Sequence, residues 1–390
     1  MSERVVVTGM GAVVSCSDNL IELWHNVITK KLLFDYQESF KRVAGPTPSP
    51  LPEINRYENM IEHAIQEAIS PCLLPNRNEE VISFILGTSI GDSDIIKKFE
   101  TLSSKFNNSP RYFNSNDTVK EAINKLQING RINVISSACS SSSVALNNAY
   151  NLIKNGKSDM VCVVGIENVS NNMGIASFDA LSVLSKDTSP HLAMQPFDNE
   201  SNSFVMSDGC GVLILESLSL ALKNNKKIYS EISGVGMSCD AYNILTPDQT
   251  GTGAVKAMHN ALIDANLSPE SISYVNVHGT GTNSNDDAEL KAMQQVFPCK
   301  KNRDYFYATS TKSITGHLLG ASGIIEAIIS TISLIEGVIP ATVNLSQPLV
   351  SSGITINNDN VKKELSYVMS NTFAFGGQNV SLILKKYTKR

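Results

Sequence analysis

The chain lacks paired cysteines. Its seven, at positions 16, 72, 139, 162, 210, 239 and 299, are odd in number, and none forms a Cys-x-x-Cys pair. That usage fits neither a disulfide framework nor a zinc site, and it suits a reducing, cytoplasmic setting. No basic tract dominates, and the net charge is −5, so nucleic acid is not an expected partner. The pairs Lys30-Lys31, Lys97-Lys98 and Lys226-Lys227 read as solvated faces. No apolar run approaches the ~18 residues of a membrane helix, so no membrane span is expected. The first residues, Met1 to Gly11, do not have the build of a signal peptide and read as a strand and turn. Low-complexity segments are missing, and charged residues make up only 18%, which argues against disorder.

What is present is a long alternation of strands and helices. The 390 residues, 42% of them apolar, suffice for one large α/β domain or two medium ones. Arg4 to Val14, Val81 to Leu86 and Met160 to Val164 read as buried strands. Ile21 to Ile28 and Tyr57 to Ile69 have helical spacing, and Val119 to Leu126 is a third candidate helix within the polar stretch from Asp92 to Gly130. Ser203 to Glu216 reads as strand, glycine bend, strand, and Lys227 to Met237 as a further strand. The order then repeats. Gly253 to Ala265 is a helix, Ser273 to Val277 a strand, Tyr305 to Thr309 another, and Gly320 to Ile335 a helix. Tyr367 to Leu384 echoes Ser203 to Glu216. This predicts an internal duplication, with halves at 1–235 and 236–390 packed as one body.

One stretch stands out for chemistry. Asn133-Val-Ile-Ser-Ser-Ala-Cys139 runs into four serines and then an apolar helical face, which reads as strand, tight turn and helix with Cys139 at the elbow. The serines are candidate N-caps, and a helix N-terminus favours a thiolate. A small buried residue is the plain alternative. Of six histidines, only His278 and His317 each end a strand amid Gly, Thr and Ser. Ligands collect at such strand ends in α/β sheets, so Cys139, His278 and His317 form a candidate nucleophilic site. Structural turn histidines, or a zinc site without any short-range ligand pair, are the competing readings.

Further motifs lie in order along nearly the whole chain. They are Val6-Val-Thr-Gly-Met-Gly, Ser137-Ala-Cys139, Pro196-Phe-Asp198, Phe204 to Glu216, Asp240-Ala-Tyr242 and Tyr274-Val-Asn-Val-His278-Gly-Thr-Gly-Thr282 with Asp286 and Glu289. Then come Ser310-Thr-Lys312-Ser-Ile-Thr-Gly-His317-Leu-Leu-Gly-Ala-Ser-Gly with Glu326, and Asn371-Thr-Phe373-Ala-Phe375-Gly-Gly-Gln-Asn379. With these the chain resembles the β-ketoacyl-acyl carrier protein synthases, elongating ketosynthases of the synthase II type in the thiolase superfamily.

The resemblance implies a thiolase fold, two duplicated halves in a five-layer αβαβα sandwich. It implies decarboxylative Claisen condensation of a Cys139-bound acyl chain with malonyl-acyl carrier protein, in a fatty acid-like or a polyketide or aryl-polyene pathway. His278 and His317 would donate to the enolate. Lys312 would lie near His317 and pair with Glu326. The backbone N–H groups of Cys139 and Phe375 would form the oxyanion hole. Thr280 and Thr282 would hold the pantetheine arm, with Phe204, Phe373 and Phe375 completing the substrate site. No metal or redox cofactor is implied, because the carbanion comes from decarboxylation; the substrate rides on the phosphopantetheine of acyl carrier protein. The implied partners are that carrier and a second subunit, identical or a chain-length partner. Departures from the pattern are Ser201-Asn202-Ser203, Ser207, Leu245, Ala374 and Gln378. Ala374 replaces a glycine in a loop that swings in elongating enzymes, and Ala resists the φ/ψ changes that Gly eases. These departures support an alternative, a low-turnover or partner-dependent subunit acting in a heterodimer. A thiolytic enzyme using coenzyme A would need a second catalytic cysteine.

Overall fold

The structure is a computed structural model, and it describes residues 2–15, 17–39, 41–46, 56–70, 82–91, 115–126, 128, 130–201, 203–297, 306–349 and 353–389. Cys16, Cys72, Cys299, Lys97-Lys98, Asn202 and the stretch 92–114 lie outside them. Among the described residues, eleven strands make one mixed sheet. They are β1 Val5–Val14, β2 Ile82–Gly87, β3 Gly130–Ile135, β4 Met160–Glu167, β5 Gly209–Ser217, β6 Ser230–Cys239, β7 Tyr274–Asn276, β8 Phe306–Thr309, β9 Ile354–Ile356, β10 Tyr367–Phe373 and β11 Gln378–Lys386. Their order across the sheet is β9-β8-β7-β10-β11-β6-β1-β5-β4-β2-β3.

The order repeats about the centre. The first half runs β3-β2-β4-β5-β1 and the second β8-β7-β10-β11-β6, with β9 added at the far edge. In each, the outer three strands are parallel and the next two pairings antiparallel. The halves join where β1 meets β6 over three pairs, Val5 to Val7 against Ile232 to Ser230. The boundary expected at residue 235 falls inside β6, and the repeat of elements begins at its first residue, Ser230. The hairpin β10–β11 has β4–β5 as its counterpart, not Ser203 to Glu216. Met206–Ser207 pairs instead with Arg42–Gly45 in a small separate sheet, because Asp208 turns the chain by accepting the N–H groups of Val169 and Ser170 at 2.7 Å each.

Among the described residues, the helices of eleven residues or more that cover these strands are α1 Arg56–Ile69, α2 Ser115–Lys125, α3 Ser141–Lys154, α4 Thr252–Asp264, α5 Asn283–Val296 and α6 Ser322–Glu336. α3 and α6 pack on each other between the half-sheets, α1 and α2 cover the first half outside, and α4 and α5 the second. This gives the five layers αβαβα. Strands β1, β4 and β5 are buried along their whole length, as continuous apolar runs require when both faces are covered. Gly165 and Gly211 let α6 approach, since a Cβ there would lie 2.5 and 2.7 Å from Ile324 Cγ2. One expectation is corrected here. Leu319–Glu336 is an 18-residue stretch of mean hydropathy 1.5, long and apolar enough to span a membrane. It is 89% buried inside the fold, where the two half-sheets demand apolar residues all round.

Candidate active site

Cys139 follows β3 through a tight turn. Ala138 carries a positive φ of 45°, which an L-residue adopts only under local constraint. The constraint comes from the serines. Ser141 Oγ accepts from Ser137 N (2.8 Å) and donates to Ala138 O (2.7 Å), while Ser140 Oγ donates to Ser137 O (2.9 Å). Ser140, at the N-cap position of α3, makes no side-chain cap bond, so these serines bind the elbow instead of capping the helix. Cys139 is only 6% exposed. Burial pushes its thiol up to about 12, with the Glu167 carboxylate adding to the rise. Lys312 and the N–H groups of Phe375 and of Cys139 itself oppose it. A thiolate favoured by the helix end was expected; desolvation outweighs that field.

The two histidines arrive from the second half. His278 leaves β7 in a loop whose shape is set by α5: Glu289 accepts the N–H groups of His278 and Gly279 at 2.9 Å each. Asp286 accepts those of Phe197 (2.8 Å) and Gly281 (3.3 Å). Gly279 and Gly281 take φ of 39° and 79°, where a side chain would be strained. Ser201 donates to Gly281 O at 2.5 Å, so this departure from the family pattern braces the same loop. His317 places Nδ1 2.9 Å from Ser322 Oγ, on the first turn of α6. The two imidazole centroids lie 5.4 Å apart at 80°. Burial holds both well below the usual histidine range, helped by Lys312, so both are neutral at pH 7.

Lys312 is fully buried and ion-paired with Glu326. Its charge reaches His317, as expected, but its direct contact is with His278. Its ammonium donates to His278 O at 2.6 Å and lies 3.4 Å from His278 Nδ1. An ammonium has no lone pair, so His278 Nδ1 accepts and its proton sits on Nε2. Glu326 is pushed up to about 7 by burial, with Lys312 opposing, and its Oε2 makes no hydrogen bond among the described residues.

One cleft of about 540 Å³, its open mouth included, is lined by Cys139, His278 and His317 together with Phe204, Thr280, Thr282, Phe373 and Phe375. Thr280 and Thr282 share a hydroxyl hydrogen bond of 2.8 Å. Phe204 stands edge-on to His317, centroids 5.1 Å apart, and Phe373 is tilted over His278 at 6.1 Å. Ala374 is ordinary extended backbone (φ −122°, ψ 156°) in this arrangement, and its N–H donates to Gln378 O at 2.9 Å. Sequence reasoning did not assign two groups of supporting residues. Ser322 sits inside the His317 motif, and its place five residues on, at a helix start, was the available signal. The latch on the phenylalanine loop is long-range: Asp240 N donates to Gly377 O at 2.9 Å, Gly376 N to Ile244 O at 2.9 Å, and Asn379 Nδ2 to Asp240 Oδ1 at 2.7 Å.

Known proteins resemble the chain in sequence and fold. Residues 43–221 match the model of the beta-ketoacyl synthase N-terminal domain, and residues 229–346 that of the C-terminal domain. The chain is 33% identical to the 3-oxoacyl-[acyl-carrier-protein] synthase 2 of Synechocystis, over 99% of its own length and 98% of the relative. The crystal structure of a beta-ketoacyl synthase from Burkholderia phymatum superposes with a TM-score of 0.84 at 27% identity, covering 99% of this chain and 100% of that one. The ishigamide ketosynthase/chain length factor shares the fold, with a TM-score of 0.86 at 24% identity and full coverage of both chains. Matched over both halves and nearly end to end, the chain belongs to the β-ketoacyl synthase family.

Proposed function

We infer that the protein condenses an acyl chain held on Cys139 with malonyl-acyl carrier protein, releasing CO₂ and forming 3-ketoacyl-acyl carrier protein. The observation that carries this is the convergence of Cys139, His278 and His317 on one cleft, with both imidazoles neutral and the Phe375 N–H directed at the sulfur. Acyl transfer comes first. The thiol gives up its proton, attacks the carrier thioester, and the carrier thiol leaves. His317 shares Nδ1 with a hydroxyl that can donate or accept, so it can offer Nε2 as base or Nε2–H as donor. Malonyl thioester then loses CO₂, and the electron pair becomes an enolate. Two imidazole N–H donors suit that oxygen, and His278 is fixed as a donor by Lys312. The enolate carbon attacks the acyl carbonyl, whose oxygen takes the N–H groups of Cys139 and Phe375. Collapse of the adduct breaks the C–S bond and returns the Cys139 sulfur, which takes up one proton. Removing one such oxyanion donor typically costs about 10²–10³ in rate. The carbanion comes from decarboxylation, so this sequence calls for no metal or redox group.

The Thr280–Thr282 hydroxyl pair at the cleft wall suits the amides of a pantetheine arm. The Synechocystis relative carries acyl carrier protein in its name, which supports the same kind of donor here. Among the described residues, strand β3 is an open sheet edge with Arg131, Asn133 and Val134 exposed, a surface suited to pairing with a second subunit, identical or a chain-length partner. The free thiols of Cys139, Cys162, Cys210 and Cys239 suit the cytoplasm. Purified protein with malonyl- and acyl-loaded carrier tests the reading. It is expected to form 3-ketoacyl product, and Cys139→Ala is expected to form none while keeping the fold. Product from that variant refutes the assignment; acylation of the wild type without product favours a partner-dependent subunit.

A further inference from the structure

We propose that Glu167 is a positioning residue for condensation: from the first half of the chain it holds the strained turn that fixes His317 in the second. Glu167 is the last residue of β4 and is fully buried. No cation pairs with it among the described residues. Its charge is met by donors alone. Oε1 accepts from Thr88 Oγ1 (2.7 Å), Ile90 N (3.1 Å) and Gly91 N (3.0 Å). Oε2 accepts from Ser89 N (2.8 Å), from the Ser89 hydroxyl and from Gly320 N (2.8 Å). Five of these donors come from the loop after β2. The sixth comes from the other half of the molecule.

That sixth contact is the informative one. Gly320 lies in the short turn Leu319–Ala321, between His317 and the Ser322 that holds its Nδ1. Leu319 takes φ of 45°, a left-handed conformation that a residue with a side chain holds only under constraint from its surroundings. The turn is pressed onto the carboxylate so closely that a Cβ on Gly320 would lie 2.7 Å from Glu167 Oε2 and 2.5 Å from Ser89 N. A buried carboxylate without its donors is expensive, so carboxylate, loop and turn hold one another in place. Release of Gly320 would let Leu319 relax, and His317 and Ser322 would separate. The same carboxylate acts on Cys139 through space, against Lys312 and the N–H of Phe375. Glu167 therefore bears on two of the three groups proposed to do the chemistry without lining the cleft.

The assignment rests on the reading of Cys139 and His317 given above, and two variants test it. Glu167→Gln removes the charge and one acceptor site. Its far-UV spectrum is expected to match wild type, kcat to fall about 10–100-fold and KM to stay within about twofold, as for a misplaced catalytic group. The pH midpoint for iodoacetamide alkylation of Cys139 is expected to move down, because a nearby negative charge is gone. Gly320→Ala keeps the charge and displaces the turn. It is expected to lose kcat to a similar extent with the alkylation midpoint unmoved. A merely structural role would lower the melting temperature and leave kcat of the folded enzyme and the alkylation midpoint at wild-type values; that result overturns the proposal. So does Gly320→Ala with wild-type kcat, which decides the matter alone if Glu167→Gln does not fold. Wild-type protein inactive with every carrier refutes the condensation reading instead. The substrate-free alkylation profile of Glu167→Gln then decides whether Glu167 reaches Cys139, and an unmoved midpoint overturns that reach.

Discussion

At the scale of single residues the site is governed by burial. Cys139, His278 and His317 are each held in their neutral form chiefly by desolvation; Lys312 reinforces it at both imidazoles and opposes it at the thiol, where Glu167 reinforces it. Condensation that needs neutral imidazoles should then persist into acid. The acid limb of the kcat profile is expected below pH 6.5, the ordinary histidine value; a limb centred at or above it contradicts the account. Lys312 depresses both imidazoles. In Lys312→Ala their pKa values rise, so the acid limb should move to higher pH. The same change strands Glu326 in the interior. Breaking a buried pair this way typically costs about 3–5 kcal/mol, readable as a lower urea midpoint at unchanged slope. A variant as stable as wild type would show the pair to be dispensable.

At the scale of elements, the loop between β10 and β11 is the part whose conformation is set by backbone chemistry. Gly376 and Gly377 both take positive φ, at 82° and 77°. A Cβ on Gly376 meets nothing within 4 Å, whereas one on Gly377 lies 2.9 Å from Asp240 Cβ. Gly376→Ala is therefore expected to cost only backbone strain, about 1–2 kcal/mol. Gly377→Ala should additionally break the latch to Asp240 and depress condensation further, as steady-state rates and thermal denaturation of the pair will show. Equal effects would mean that the latch does not shape the loop. The motif strings carried the positions of Cys139, His278, His317 and Phe375, because a local pattern of strand, turn and small residues is written in consecutive residues. They did not carry the contact of Lys312 with His278. Which imidazole an ammonium meets depends on how β8 and α6 pack beside β7, and spacing along the chain does not encode that.

At the scale of the whole molecule, duplication explains why the site lies where it does. The corresponding strands β3 and β8 each lead into a helix of the central layer, so the Cys139 elbow and the Lys312–His317 segment occupy equivalent places in the two halves. The alternation of elements was legible because buried parallel strands are continuous apolar runs and their helices have a 3.6 period. The insertion of residues 168–208 between β4 and β5 was not, because the tie of Asp208 to Val169 and Ser170 spans 38 residues or more. One core cluster draws Val5, Leu146 and Leu213 from the first half and Ile232, Ile324 and Leu382 from the second. The described halves should unfold together, with fluorescence of Trp24, the one tryptophan, and far-UV dichroism tracing the same urea transition. Two separated transitions would show that each half is stable alone.

The central claim is that Cys139 holds the acyl chain. Its most direct test is the intact mass of wild-type protein and Cys139→Ala after incubation with a panel of acyl-loaded carrier proteins. The account predicts one acyl adduct per wild-type chain, mapped to Cys139 by peptide fragmentation, and none on the variant. An adduct on the variant, or a wild-type chain left unmodified by every carrier, would contradict it.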